Sequence, residues 1–183
     1  MARLRIISGK FGGRFIKAPV GRTTHPMGDR VRSAMFNMID VEGKTVLDAY
    51  AGSGAIGLEA LSRGAKQVDF IESDRKAQKI IEENIESLGV NNQSKLYKMK
   101  VETFPLADKY DVIFVDPPYK YYKKLPDGTV DFSTALQLKG LVKENGLMVI
   151  SHTTGLCVPT VNGVVVVDKR CYGEAALLVL SFL

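Results

Sequence analysis

The chain is predicted to fold as an α/β domain, a mostly parallel sheet with helices on both faces. Two observations predict it. From residue 44 onward, short apolar runs alternate with stretches of helical spacing, and turn residues mark the joints. A glycine-rich loop, Gly52-Ser53-Gly54-Ala55-Ile56-Gly57, joins the first of those runs to the first of those helices. Sheets of this kind bind ligands outside the carboxyl ends of their strands.

Each element has its own signal. Arg3-Leu4-Arg5-Ile6-Ile7 and Arg14-Phe15-Ile16-Lys17 alternate like two strands around the turn Ser8 to Gly13, which predicts a hairpin. Asp29 is placed to cap a helix that carries Val31, Met35 and Met38 on one face. Lys44 to Ala49 reads as a strand, Ala55 to Arg63 as a helix and Gln67 to Glu72 as a second strand. Ser73 or Asp74 then caps a long helix with the apolar stripe Ala77, Ile80, Ile81, Ile85 and Leu88, and Gly89 stands at its end. Leu96 to Met99 and Tyr110 to Val115 are further strands, and helical spacing returns around Phe132, Ala135, Leu136, Leu138 and Leu141. Three strands close the series, at Leu147 to Ile150, Val164 to Val167 and Ala175 to Leu180, the last two near enough in sequence to pair antiparallel. Residues 1–28 are read as a basic hairpin extension and residues 29–183 as the main domain.

A length of 183 residues with 45% hydrophobic content suits one globular domain with a small appendage. No apolar stretch approaches the ~20 residues of a membrane span, and the basic start does not resemble a signal peptide, so a cytoplasmic protein is expected. Cys157 and Cys171 have neither disulfide density nor metal-ligand spacing, and no structural metal is implied. Nothing in the sequence demands a dimer, and a monomer is expected. The formal net charge of +5 is concentrated at the front. Arg3, Arg5, Lys10, Arg14, Lys17, Arg22, Arg30 and Arg32 face a single acid, Asp29, within residues 1–32. Such a cluster can hold nucleic-acid phosphates with salt-sensitive affinity and without reading sequence.

The glycine loop has the G-x-G-x-x-G spacing of a dinucleotide site, which keeps nicotinamide-dependent oxidoreduction among the readings. The preceding strand, however, ends in Asp48, whereas a pyrophosphate is favoured by bare helix-terminal N–H groups. An acid there favours a cation. S-adenosylmethionine carries a sulfonium and an ammonium group and no phosphate, so Asp48, Gly52, Ser53 and Gly54 suit it. Glu72, at the end of the next strand, can accept both ribose hydroxyls.

The apolar run Val112 to Val115 leads into Asp116-Pro117-Pro118-Tyr119. The prolines lack N–H groups and have fixed φ, so their stiff turn and the Asp116 carboxylate form a fixed set of acceptors suited to an NH2 group. Tyr119 adds an aromatic face on which a planar base can stack.

Leu47 to Gly54, Leu58 to Ala65 and Asp116 to Tyr119 resemble the RsmD-type methyltransferases, which methylate a guanine N2 of small-subunit (16S) ribosomal RNA. The front of the chain resembles them as well, in Arg5 to Lys10 with Gly12-Gly13-Arg14 and in Asp29-Arg30-Val31-Arg32 with Phe36-Asn37, as does Tyr172-Gly173 before the last strand. The resemblance implies a Rossmann-like class I methyltransferase fold, with a seven-stranded sheet whose last strand is antiparallel and a small N-terminal β-hairpin and helix. It implies S-adenosylmethionine as cofactor, with the backbone near Val101 or Glu102 at its adenine, and catalysis by Asp116, Pro117, Pro118 and Tyr119. It implies ribosomal RNA as partner, within a small-subunit assembly particle, bound by Arg3, Arg5, Lys10, Arg14, Arg30, Arg32 and Lys120. The chain departs from the family pattern at His25-Pro26-Met27 and at Lys100, where the family usually has Arg-Pro-Thr and commonly an acid. Adenine-N6 methylation of DNA or RNA stays open, because the same acceptors serve any exocyclic aromatic amine. A non-catalytic RNA-binding assembly protein stays open too. Protein-glutamine methylation fits less well, since that group typically has Asn where this chain has Asp116.

Overall fold

A computed structural model describes residues 2–19, 28–105, 107–118, 133–155 and 162–183. Strands β1 (Ala2–Arg5) and β2 (Phe15–Ala18) form an antiparallel hairpin, and helix α1 (Asp29–Met38) follows. The main sheet is built from β3 (Thr45–Ala49), β4 (Gln67–Ile71), β5 (Ser94–Tyr97), β6 (Tyr110–Val115), β7 (Val142–Thr153), β8 (Val164–Tyr172) and β9 (Ala175–Phe182). Helices α2 (Ala55–Ser62) and α3 (Arg75–Leu88) connect β3, β4 and β5, and α4 (Ser133–Leu138) precedes β7. The strand order is β5-β4-β3-β6-β7-β9-β8; β9 runs antiparallel to both of its neighbours, and the other pairs are parallel.

The order reverses at β3, which has β4 on one side and β6 on the other. Ala49 is level with Ile71 and with Val115, so Glu72 and Asp116 both emerge one residue past the strand ends that flank β3. Successive strand residues point to opposite faces. Val46, Phe70, Val112 and Phe114 pack on one side against Leu58, Ile81 and Ile85 from α2 and α3 and against Met35 and Phe36 from α1. Leu47, Ile71, Ile113 and Met148 pack on the other against Leu138 and Leu141. The hairpin joins the first core through Ile6, Phe11 and Ile16.

Glu59, buried in the otherwise apolar α2, is what seats the hairpin. Its carboxylate accepts from the amides of Ile7 at 2.7 Å and Ser8 at 3.1 Å and pairs with Arg63 at 2.7 Å. Ser62 accepts from the Phe11 amide at 2.9 Å and donates to the Ser8 carbonyl. Gly9, at φ 79, passes so close to α2 that a Cβ there would lie 1.9 Å from the Ser62 carbonyl oxygen.

Several boundaries move. Asp29 is the first residue of α1 rather than its cap; Gly28 occupies the cap position, and the Asp29 carboxylate pairs with Arg32. Asp74, not Ser73, caps α3, accepting from Lys76 and Ala77. Strand β5 begins at Ser94, because the 3-10 turn Asn91–Gln93 places Leu96 level with Phe70. Strand β7 starts at Val142, across a register shift where Asn145 adopts φ 61.

Candidate active site at the carboxyl ends of β3, β4 and β6

The loop after β3 turns through left-handed backbone at Tyr50 (φ 66), Gly52 (φ 57) and Gly54 (φ 78), the last at the cap of α2. Such a conformation costs a non-glycine residue about 1–2 kcal/mol, and Tyr50 adopts it within a tightly bonded loop. The Gly52 amide donates to Glu72 Oε2 at 2.8 Å, and the Asp74 amide donates to Glu72 Oε1 at 2.7 Å. Glu72 thus ties the glycine loop to the start of α3. Gly57 brings α2 down onto the sheet: a Cβ there would lie 2.3 Å from the Phe70 ring.

The Gly57 amide donates to Asp48 Oδ2 at 2.8 Å, whereas the other oxygen, Oδ1, is buried without a hydrogen-bond partner among the described residues. Asp48 is 1% exposed. Burial drives its pKa from 3.8 up to about 7, against the Gly57 bond, and the nearby Asp116 and Glu72 raise it further. Asp116 follows β6 half-buried. Burial likewise pushes its pKa up to about 6, opposed by a hydrogen bond from Ser151 at the end of the adjacent β7. Pro117 and Pro118 are half-buried beside it. Three carboxylates therefore meet at one end of the sheet, and two of them are hard to ionise without a positive charge. Among the described residues no group of His, Cys, Asp and Glu side chains could hold a metal ion. A cationic ligand fits the unpartnered Asp48 oxygen, and S-adenosylmethionine has the required charge.

Val101 is buried in the 3-10 turn after β5 and packs with Leu47 and Ile71. Lys100 is exposed, and Glu102 Oε1 accepts from the Tyr50 hydroxyl at 3.3 Å, which brings an acid back to the mouth of the loop. Ser53 is buried, and its carbonyl accepts from Asn84 at 3.0 Å.

The cationic front is split. Arg3, Arg5, Lys10, Arg14 and Arg30 are exposed. Lys10 and Arg14 lie over the Phe11 ring, and Arg14 also donates to the Ser87 carbonyl at 2.6 Å. Arg32 departs from its expected place among them. It is 1% exposed and donates to the Arg5 carbonyl at 2.6 Å and to Asp29 at 3.0 Å, because its position on α1 turns it beneath the hairpin. Tyr119, Lys120 and Arg22 lie outside the described residues. Sequence reasoning missed Ser151, Glu59 and Asn84. Glu59 had a signal, a lone acid in an apolar helix, and so did Asn84, one of two amides, with Gln78, on the buried face of α3.

The model described as "conserved hypothetical protein 95" matches residues 4–181. The Bacillus subtilis (strain 168) protein YlbH, provisionally named an rRNA methyltransferase, is 34% identical over 178 residues, 93% of this chain and 94% of YlbH. Ribosomal RNA small subunit methyltransferase D of Escherichia coli (strain K12) is 32% identical over 164 residues, 87% of this chain and 79% of that protein. Among solved structures, Escherichia coli yhhF, provisionally assigned as a methyltransferase, superposes with a TM-score of 0.84 at 28% identity, covering 99% of this chain and 98% of that one. The strand order and the site at the reversal point define the class I methyltransferase fold. Within it, the chain belongs to the RsmD family.

Proposed function

We propose that this protein transfers a methyl group from S-adenosylmethionine to the exocyclic N2 amine of a guanine in small-subunit (16S) ribosomal RNA, within an assembling particle. The observation that carries the reading is the buried, unpartnered Asp48 oxygen, with Glu72 and Asp116 near enough to raise its pKa. The names of the relatives support the ribosomal substrate.

Asp48 and the Gly52-Ser53-Gly54 loop receive the cationic part of the cofactor, Glu72 its ribose and the buried turn at Val101 its adenine. Bound there, S-adenosylmethionine supplies an electrophilic methyl group on a sulfonium. The lone pair of an exocyclic amine is delocalised into the ring, so the free base is a poor nucleophile. The Asp116 carboxylate and the Pro117 carbonyl accept its two N–H bonds and turn the lone pair out of the ring plane. Orientation of this kind is worth roughly 7–11 kcal/mol in well-aligned intramolecular cases. The proton that the alkylated amine sheds passes to Asp116 or to water. The base must be unpaired or flipped to reach this end of the sheet.

Labelled S-adenosylmethionine, incubated with the protein and small-subunit particles from cells lacking it, tests the reading. N2-methylguanine at one mapped nucleotide is the expected product. N6-methyladenine would overturn the choice of amine, and no transfer to any RNA would overturn the activity.

A further inference from the structure

The hairpin has two unlike faces. Leu4 pairs with Ile16 and Ala2 with Ala18 on the inner face, where Ile16 and Ala18 are each 2% exposed. On the outer face Arg3 pairs with Lys17 and Arg5 with Phe15. Phe15 is 62% exposed, an unusual position for a phenyl ring, which normally contributes its area to a core or an interface. It stands on a two-stranded ribbon with a guanidinium directly across and two more cations one pair away.

The ribbon is fixed from below. Asn84 Oδ1 accepts from the Lys17 amide at 2.8 Å and Asn84 Nδ2 donates to the Lys17 carbonyl at 2.9 Å. Arg32 holds the Arg5 carbonyl. Lys17 is drawn to Glu83 at 2.8 Å, so Arg3 and Arg5 are the cations left to an incoming anion; neither has an ion-pair partner among the described residues. An exposed aromatic ring framed by arginines on a rigid sheet face matches what unpaired nucleotides require, a surface for the base and cations for the phosphates. An apolar protein partner would have to desolvate the arginines with nothing to pair them.

We propose that the outer face of the hairpin is a stacking platform on which Phe15 takes an unpaired base of the RNA substrate while Arg3 and Arg5 hold the flanking phosphates. The platform rests on the RNA reading above and adds a second contact point, separate from the acceptor at Asp116.

The chain has no tryptophan, so Phe15→Trp introduces a single tryptophan at the platform, which can be excited apart from the tyrosines. Its emission should be quenched by a single-stranded RNA oligonucleotide and not by an abasic ribose-phosphate strand of equal length. Phe15→Ala should weaken binding of the same oligonucleotide roughly 5- to 150-fold without changing the salt slope, and Phe15→Tyr should restore it. Calorimetry with S-adenosylmethionine, unchanged in each variant, shows that the fold is intact. Equal quenching by the abasic strand, or unaltered affinity in Phe15→Ala, overturns the platform. A concentration-dependent dimer that Phe15→Ala abolishes would assign the face to a second copy and overturn it as well. If the platform fails while wild-type protein still methylates ribosomal particles, the RNA reading survives; if wild-type protein methylates no RNA, that reading has failed.

Discussion

Asn84, buried in α3, donates to the Ser53 carbonyl at 3.0 Å with the same amide nitrogen that reaches the Lys17 carbonyl at 2.9 Å. One side chain thus spans the glycine loop and the hairpin. Asn84→Leu keeps the approximate volume and leaves the Lys17 amide and two carbonyls without that partner, at about 1–3 kcal/mol for each group that stays dry. We expect a lower denaturation midpoint and S-adenosylmethionine affinity reduced about 10-fold, read by denaturant unfolding and calorimetry. Asn84→Asp keeps the acceptor for the Lys17 amide but sets a carboxylate against both carbonyls, and should lose at least as much cofactor affinity.

The two buried acids give stability a definite slope with pH. Asp48 and Asp116 have folded pKa values of about 7 and about 6, above the ordinary 3.8. Between ~pH 4 and ~pH 7 the folded state therefore holds protons that the unfolded state has released, and stability falls as pH rises. For Asp48, a rise from 3.8 to about 7 amounts to ~4 kcal/mol at ~1.36 kcal/mol per pH unit. Asp48→Asn should flatten most of that slope and raise the stability of the ligand-free protein at pH 7.5, measured by urea titration at several pH values.

Binding of a cationic cofactor beside Asp48, as proposed above, should reverse this penalty, because a positive charge there favours the carboxylate. Affinity for S-adenosylmethionine should rise between pH 6 and pH 8, with net proton release. Calorimetry in buffers of different ionisation enthalpy reads that release directly. Asp48→Asn should bind more weakly and release fewer protons.

Ser151 offers a separate handle on Asp116. Its hydrogen bond favours the carboxylate and opposes the effect of burial. Ser151→Ala should move the acid limb of the pH–rate profile to higher pH and lower the rate at pH 7, with cofactor affinity nearly unchanged. Asp116→Ala should abolish methyl transfer at every pH while still binding cofactor. A shifted limb in the Ser151 variant separates tuning of Asp116 from simple loss of structure.

Most of the sheet was legible because its strands announce themselves locally: Val112 to Val115 is apolar throughout and Asp116-Pro117 stops it. Gly52 to Gly57 was legible for the same reason, a loop whose chemistry lies within one short segment. Ser151 was not, since it acts through a neighbouring strand 35 residues away in sequence, and only the register of β6 with β7 brings it to Asp116. Nor was the inward turn of Arg32: a run of cations looks uniformly solvated until the packing of α1 under the hairpin selects one of them for burial.

That selection separates the arginines experimentally. Arg32→Met removes the donor to the Arg5 carbonyl and to Asp29 beneath the hairpin. It should cost ~1–3 kcal/mol of stability and leave the salt slope of RNA binding unchanged, because this side chain does not reach solvent. Reversing charge at Arg3, Arg5 and Arg30, all exposed, should do the opposite. Stability should hold within ~0.5 kcal/mol for each substitution, while RNA affinity falls and its dependence on salt flattens. Filter binding at several salt concentrations, paired with urea unfolding of the same variants, reads both outcomes. If Arg32→Met flattened the salt slope as strongly as the surface reversals, the buried arginine would have to be counted among the RNA contacts after all.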